Sequence, residues 1–274
     1  MIRETSSVES NEEKENIKEL GVSEVPGIEE RIAILPIIGQ IEGHMVAPPQ
    51  HKTTKYEHII PQVVGIETND KIEGALIILN TIGGDVEAGL AIAEMITSIS
   101  KPTVSLVIGG GHSIGVPLAT AAKYSYITTS ATMIVHPIRM NGTVIGVPQT
   151  FDYFNKMQER IVEFVVRTSK VQRDSFISMM MKTDELLNDM GTILIGKQAV
   201  EKGLIDEVGG IKRALDKLEQ LIEEVKKKNK ANDKVKEEIK EEATNLEKNQ
   251  KEEQKAKEST KGKRKVKNKK GEDV

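Results

Sequence analysis

Val107-Ile108-Gly109-Gly110-Gly111-His112-Ser113-Ile114-Gly115-Val116-Pro117 is the stretch on which the reading of this chain turns. The apolar run before it, Thr103 to Ile108, reads as a buried strand. Three glycines then read as a break in regular structure, and the small residues from Leu118 to Ala122 read as a helix. Ser113 therefore sits on a strand-to-helix turn with Gly111 and Gly115 two residues to either side. Such a turn exposes the hydroxyl and leaves backbone N–H groups at the helix start free to bind a developing oxyanion. The positive end of the helix favours negative charge there. Gly-x-Ser-x-Gly by itself is a weak signal. A glycine-rich turn with an incidental serine is the plain alternative.

Outward from that turn, strand and helix alternate. Arg31 to Ile38 reads as a buried strand, followed by a loop from Gly39 to Lys55 and a helix from Tyr56 to Glu67. Gly74 to Leu79 is a second buried strand. It ends in Asn80-Thr81-Ile82-Gly83-Gly84-Asp85, and a helix follows from Val86 to Ser98. Beyond Ser113, short strands are expected at Tyr124 to Thr128 and Thr132 to Val135, the latter ending at His136-Pro137. Ile138 to Pro148 reads as irregular. Helices are expected at Phe151 to Thr168, Arg173 to Met181, Ala199 to Lys202 and Ile211 to Val225. This order argues for an α/β fold with a largely parallel sheet covered by helices.

The chain has 274 residues, which suits one domain of ordinary size plus tails. Aromatic residues make up 3% and there is no Trp, so the core must rest on Ile, Leu, Val, Met and Ala. The absence of Cys excludes disulfides and thiolate metal sites and fits a reducing, cytoplasmic setting. Residues 1–30 are polar and acidic and read as disordered, with no apolar core for a signal peptide. Residues 31–225 read as the folded domain, and 226–274 as a Lys/Glu-rich tail, solvated helix or disorder. Within that tail, Lys261 to Lys270 carries bases and no acid. Such a cluster suits peripheral contact with anionic lipid heads, and with no aromatic interleaved it does not suit specific nucleic-acid reading.

A serine nucleophile needs a general base, and His136 at a neighbouring strand end is the candidate. Gly83-Gly84 lets backbone N–H groups approach a substrate carbonyl with no Cβ in the way. Strand ends on one edge of a parallel sheet converge on a cleft, so these parts can meet. His136 as a satisfied core histidine is the competing reading. His112 is expected to point away from Ser113. His44, His51 and His58 would need a fourth group to make a metal site, and no metal is expected.

Taken together these residues resemble the Clp protease proteolytic subunit family. The pattern of that family has an Asn-x-x-Gly-Gly turn, a glycine-rich turn around the serine, a Met-Ile-His-x-Pro-like segment and a closing Gly-Leu-Ile-Asp. Here they stand as Asn80 to Gly84, Gly109 to Gly115, Met133 to Pro137 and Gly203-Leu204-Ile205-Asp206. The match in order and spacing covers roughly residues 31 to 215. The Gly-Gly-Gly-His-Ser turn, the run from Met179 to Leu186 and the charged tail resemble a branch associated with preprotein translocation. The resemblance implies the Clp-protease/crotonase-like superhelix of repeated β-β-α units with a protruding handle helix. It implies a serine endopeptidase without cofactor, with Ser113 as nucleophile and His136 as general base. Gly83 and Ile114 would donate to the oxyanion. Gly84, Ile138, Met140 and Gly142 would bind the substrate as an added β-strand. It further implies peptide or unfolded-protein substrates, stacked-ring homo-oligomers and a separate ATPase partner. The family's aspartate falls on Gly191. Asp189, two residues earlier, is the expected third member, with Asp184 or a plain dyad as alternatives. A crotonase-like acyl-coenzyme A enzyme and a non-catalytic scaffold of the translocation machinery are the competing functions.

Overall fold

The computed structural model describes residues 31–139, 146–184, 190–232, 234–236 and 239–240. The chain divides into a unit of residues 1–222 and a second of residues 223–274. In the second, residues 223–232 are helical, and Lys226 lies 3.8 Å from Glu223 one turn away.

The first unit is built on a parallel sheet. Its strands are β1 (Ile32–Glu42), β2 (Thr53–Lys55), β3 (Gly74–Gly84), β4 (Thr103–Gly111), β5 (Tyr124–Ile127), β6 (Thr132–Val135), β7 (Thr192–Ile195) and β8 (Glu207–Val208). The order across the sheet is β2-β1-β3-β4-β5-β8, every pair parallel. β6 joins β4 through Gly110↔Thr132, and β7 runs antiparallel to β6. Helices α1 (Tyr56–Thr68), α2 (Val86–Ser98), α3 (Gly115–Thr120), α4 (Val147–Thr168), α5 (Arg173–Met180) and α6 (Lys197–Glu201) connect these strands. A further helix, α7, begins at residue 211.

The strands are continuous apolar runs because both faces are covered. Leu35, Ile77, Leu79 and Val107 face a core shared with α1 to α5. Leu76, Val104, Leu106 and Tyr126 face the other way, against Ala214, Leu218 and Ile222 of α7. The alternation of Leu76 and Ile77 between these two cores is the period-two geometry of a strand buried on both sides.

Several boundaries differ from the sequence reading. The glycines at 109–111 do not break β4, which continues to Gly111. Gly110 N–H donates to the Asn80 side-chain oxygen at 2.9 Å. A Cβ at Gly109 would fall 2.4 Å from that same oxygen. The glycines thus admit the Asn80 side chain against the strand, and pairing overrides their breaking tendency. β1 and β3 likewise run on to Glu42 and Gly84. The 39–55 loop contains β2, and α4 starts at Val147, four residues before Phe151. Asp206 of the closing Gly-Leu-Ile-Asp accepts the Ser125 N–H at 3.0 Å and its hydroxyl at 2.9 Å, and lies 2.7 Å from Lys170 Nζ. That carboxylate joins the chain's return to β5. No helix among the described residues is long and apolar enough to cross a membrane.

Candidate active site

Ser113 lies between the end of β4 and the start of α3 with φ +58°, alone among described non-glycine residues in having positive φ. That conformation is strained for an L-residue and holds when the surroundings over-determine it. Here they do. Ser113 N–H donates to Ile134 O at 2.8 Å, and its carbonyl accepts from Val116 N–H at 3.0 Å. His112 N–H donates to Thr81 O at 3.2 Å. The next side chain, Ile114, is buried against α2, where a Cβ on Gly89 would come within 2.4 Å of Ile114 Cγ1. Asp85 caps α2 by accepting from Ala88 N–H at 2.8 Å. The turn is thus held by β3, β6 and α2 at once.

Ser113 and His136 border one cleft. Its wall also includes Gly84, Val86, Ile114, Val116, Val135, Pro137, Ile138, Arg139, Ile161, Phe176 and Met180, and it encloses about 130 Å³. His136 Nδ1 lies 2.6 Å from Pro137 O. A carbonyl oxygen accepts and cannot donate, so the ring carries its proton on Nδ1 in that contact. Nε2 is then the basic nitrogen, as a general base requires. In the family pattern the histidine stands two residues before proline, whereas His136 directly precedes Pro137. One step along a strand turns a side chain to the other face. Here β6 ends at Val135, and both Val135 and His136 reach the cleft.

The two glycines divide their work. Gly83, at φ +91°, donates its N–H to Thr81 Oγ1 at 3.0 Å, and it does not line the cleft. Gly84, at φ +152°, does line it, and a Cβ there would strike the Ile41 backbone at 2.2 Å. Ile138 is in the cleft wall; Met140, Gly142 and Asp189 lie outside the described residues. Asp184 is 74% exposed and sits 3.8 Å from Lys182. Gly191 has φ +139° and donates to Lys182 O at 2.6 Å.

His112 is half-buried, with Nε2 2.7 Å from Thr132 Oγ1. Burial of the ring, and then the charge of His136, hold its pKa below the ordinary imidazole value. Thr81, Thr132, Val135, Phe176 and Met180 were not singled out from sequence as site residues. A larger groove of about 310 Å³ lies between α2 and α4. Arg160 bridges it to Glu87 at 2.6 and 3.0 Å, and Arg167 to Glu94 at 2.7 Å. Its lining holds no Ser, His or Cys nucleophile.

A model of the Clp protease family matches residues 36–212. The chain belongs to the Clp protease family. Its mixed, parallel-rich α/β architecture agrees with that fold. Over 211 residues it is 60% identical to the translocation-enhancing protein TepA of Halalkalibacterium halodurans, covering 77% of this chain and 82% of that one. It is 26% identical over 137 residues to proteolytic subunit 1 of the ATP-dependent Clp protease of Chlamydia muridarum, covering 48% and 67% of the two chains. A putative protease of Methanocaldococcus jannaschii is 27% identical over 211 residues, 66% of this chain and 65% of that one.

Proposed function

We propose that this Clp-family chain is a serine peptidase that cleaves peptide bonds through an acyl-enzyme on Ser113. The observation that carries the reading is the pairing of a strained Ser113 turn with His136 on one cleft. His136 Nε2 takes the Ser113 Oγ proton as Oγ attacks the scissile carbonyl. The proton then passes to the leaving amine, and water repeats the steps to release the acyl group. The carbonyl oxygen becomes an oxyanion between the Ile114 N–H and the N–H of Gly84, which lines the cleft in place of Gly83. Pro137 O orients the imidazole, a task a carboxylate performs in a full triad. The apolar wall of Val86, Val116, Ile161, Phe176 and Met180 suits an aliphatic side chain of an extended substrate. At about 130 Å³ the cleft is small beside the roughly 300–1,000 Å³ of small-molecule sites, which weighs against an acyl-coenzyme A ligand. The likeness to TepA supports a setting in preprotein translocation, with exported chains or signal peptides as substrates. The reading extends to a cytoplasmic stacked-ring particle, fed by a separate ATPase, with the basic tail touching anionic lipid.

Gly191 in place of the aspartate and the one-residue offset of His136 favour a second reading, a non-catalytic scaffold. A fluorophosphonate probe separates the two. The peptidase reading expects covalent labelling of wild-type protein at Ser113 and none in Ser113→Ala. An unlabelled wild type sinks it.

A further inference from the structure

The acyl-transfer steps leave His112 without a role, although its ring is half-buried beside the nucleophile. Nε2 lies 2.7 Å from Thr132 Oγ1. The ring also lies over Gly110, where an added Cβ would come within 3.2 Å of Cε1. Gly110 and Thr132 are the pair through which β6 joins β4, and among the described residues the register holds no second one. Two residues further along β6, Ile134 O accepts the Ser113 N–H at 2.8 Å. The backbone of His112 is itself pinned, its N–H to Thr81 O at 3.2 Å and its carbonyl to Gly115 N–H at 2.8 Å. β6 leads directly into His136. A slide of β6 along β4 therefore carries the base away from the nucleophile.

We propose that His112 is a positioning residue whose hydrogen bond to Thr132 latches β6 to the serine turn and so sets the placement of His136 against Ser113. The proposal rests on the Ser113–His136 reading for its catalytic consequence, while the latch is a property of the fold. β6 pairs with β7 along its other edge but meets β4 at one register pair, so the side-chain bond is one of few contacts that hold β6 against the serine turn. A misplacement of about 1 Å in a reacting pair costs on the order of a hundredfold in rate, so a weak latch has a strong readout. The depressed basicity of the His112 ring agrees with this role, since a neutral ring can donate to or accept from the threonine hydroxyl.

The test uses full-length protein carrying His112→Phe, His112→Gln, Thr132→Val and the Phe/Val double substitution. Phe keeps the ring's bulk without its nitrogens, and Gln places an amide near the Nε2 position. Two quantities are read: the rate of fluorophosphonate labelling of Ser113, and amide exchange in peptides covering 108–116 and 131–137. His112→Phe and Thr132→Val should each slow labelling about 10- to 100-fold and speed exchange of both peptides. The double substitution should be no slower than either single one, because one bond is lost in all three. His112→Gln should label within about threefold of wild type. Wild-type labelling in His112→Phe, or additive losses in the double variant, overturns the proposal. If His112→Phe does not fold, Thr132→Val decides alone. If wild type is not labelled, the serine-peptidase reading falls and exchange decides the latch. Faster exchange in Thr132→Val but not in His112→Gln supports it, and unchanged exchange in Thr132→Val overturns it.

Discussion

Gly83 is pressed against Ser113: a side chain on Gly83 would put its Cβ 2.7 Å from Ser113 Cβ and 2.8 Å from the His112 carbonyl oxygen. Gly83 also holds φ +91°, where L side chains are strained. Gly83→Ala should therefore displace the serine turn without removing any reacting group. Peptidase activity should drop at least about a hundredfold, with the Thr81–Gly83 turn disturbed as well. Steady-state peptide cleavage checks this, and near-normal kcat in Gly83→Ala would show that the turn can yield.

Ser113 itself stores strain. At φ +58° a glycine is more comfortable than any residue with a Cβ. Ser113→Ala and Ser113→Gly both remove the proposed nucleophile, and each should cost roughly six orders of magnitude in kcat by analogy with other triad enzymes. Their stabilities should differ. Ser113→Gly should melt higher than Ser113→Ala by a few degrees, reflecting about 1 kcal/mol of relieved strain. Scanning calorimetry decides it, and equal melting temperatures would mean the turn is not strained.

The strand ends of the candidate site were legible in sequence because their residues stand in short, local motifs. Asn80 to Gly84, Gly109 to Gly115 and His136-Pro137 are each a few residues long, and the structure brings residues of all three to one cleft. What was not legible depends on partners distant in sequence. Three glycines in β4 looked like a break because their reason for being small is the Asn80 side chain, 30 positions away. The division of work between Gly83 and Gly84 turns on the Thr81 hydroxyl, which takes the Gly83 N–H. Which side chains of the helix expected from Phe151 to Thr168 are covered is likewise set by distant partners: Val165 is fully buried in the protein's own core, whereas Phe151 is exposed.

His112 should make stability depend on pH. Its ring is held below the ordinary imidazole value, first by burial and then by the charge of His136. On acidification the unfolded chain takes up this proton near its ordinary pKa, while the folded protein resists until lower pH. In that window the unfolded state binds more protons, so stability rises with pH and is lost as pH falls from about 6.5 toward the folded value. His112→Gln lacks that proton and should show a smaller fall in melting temperature between about pH 7.5 and about pH 5.5. Identical falls in the two proteins would assign the acid sensitivity to other groups.

The N-terminal half of α4 presents apolar side chains that its own unit does not cover. Val147, Phe151 and Tyr153 are 68%, 65% and 52% exposed, whereas Met157, Ile161, Val162 and Val165 are buried. The helix therefore packs on its own unit mainly through its later turns and leaves its first turns for another surface. The stacked-ring assembly proposed above would place a second copy there. Phe151→Glu should then release smaller species, because a symmetric contact repeats the unpaired charge in every subunit. Val165→Glu should act differently and unfold the protein, since that charge enters a closed core at a cost of several kcal/mol. Sedimentation velocity at several concentrations, with peptidase activity read across the same samples, tests this pair. The expected result is a large wild-type particle, a smaller and less active Phe151→Glu species, and an aggregated or unfolded Val165→Glu. A wild type that sediments as a fully active monomer, or a Phe151→Glu particle of unchanged size, would remove α4 from any subunit interface.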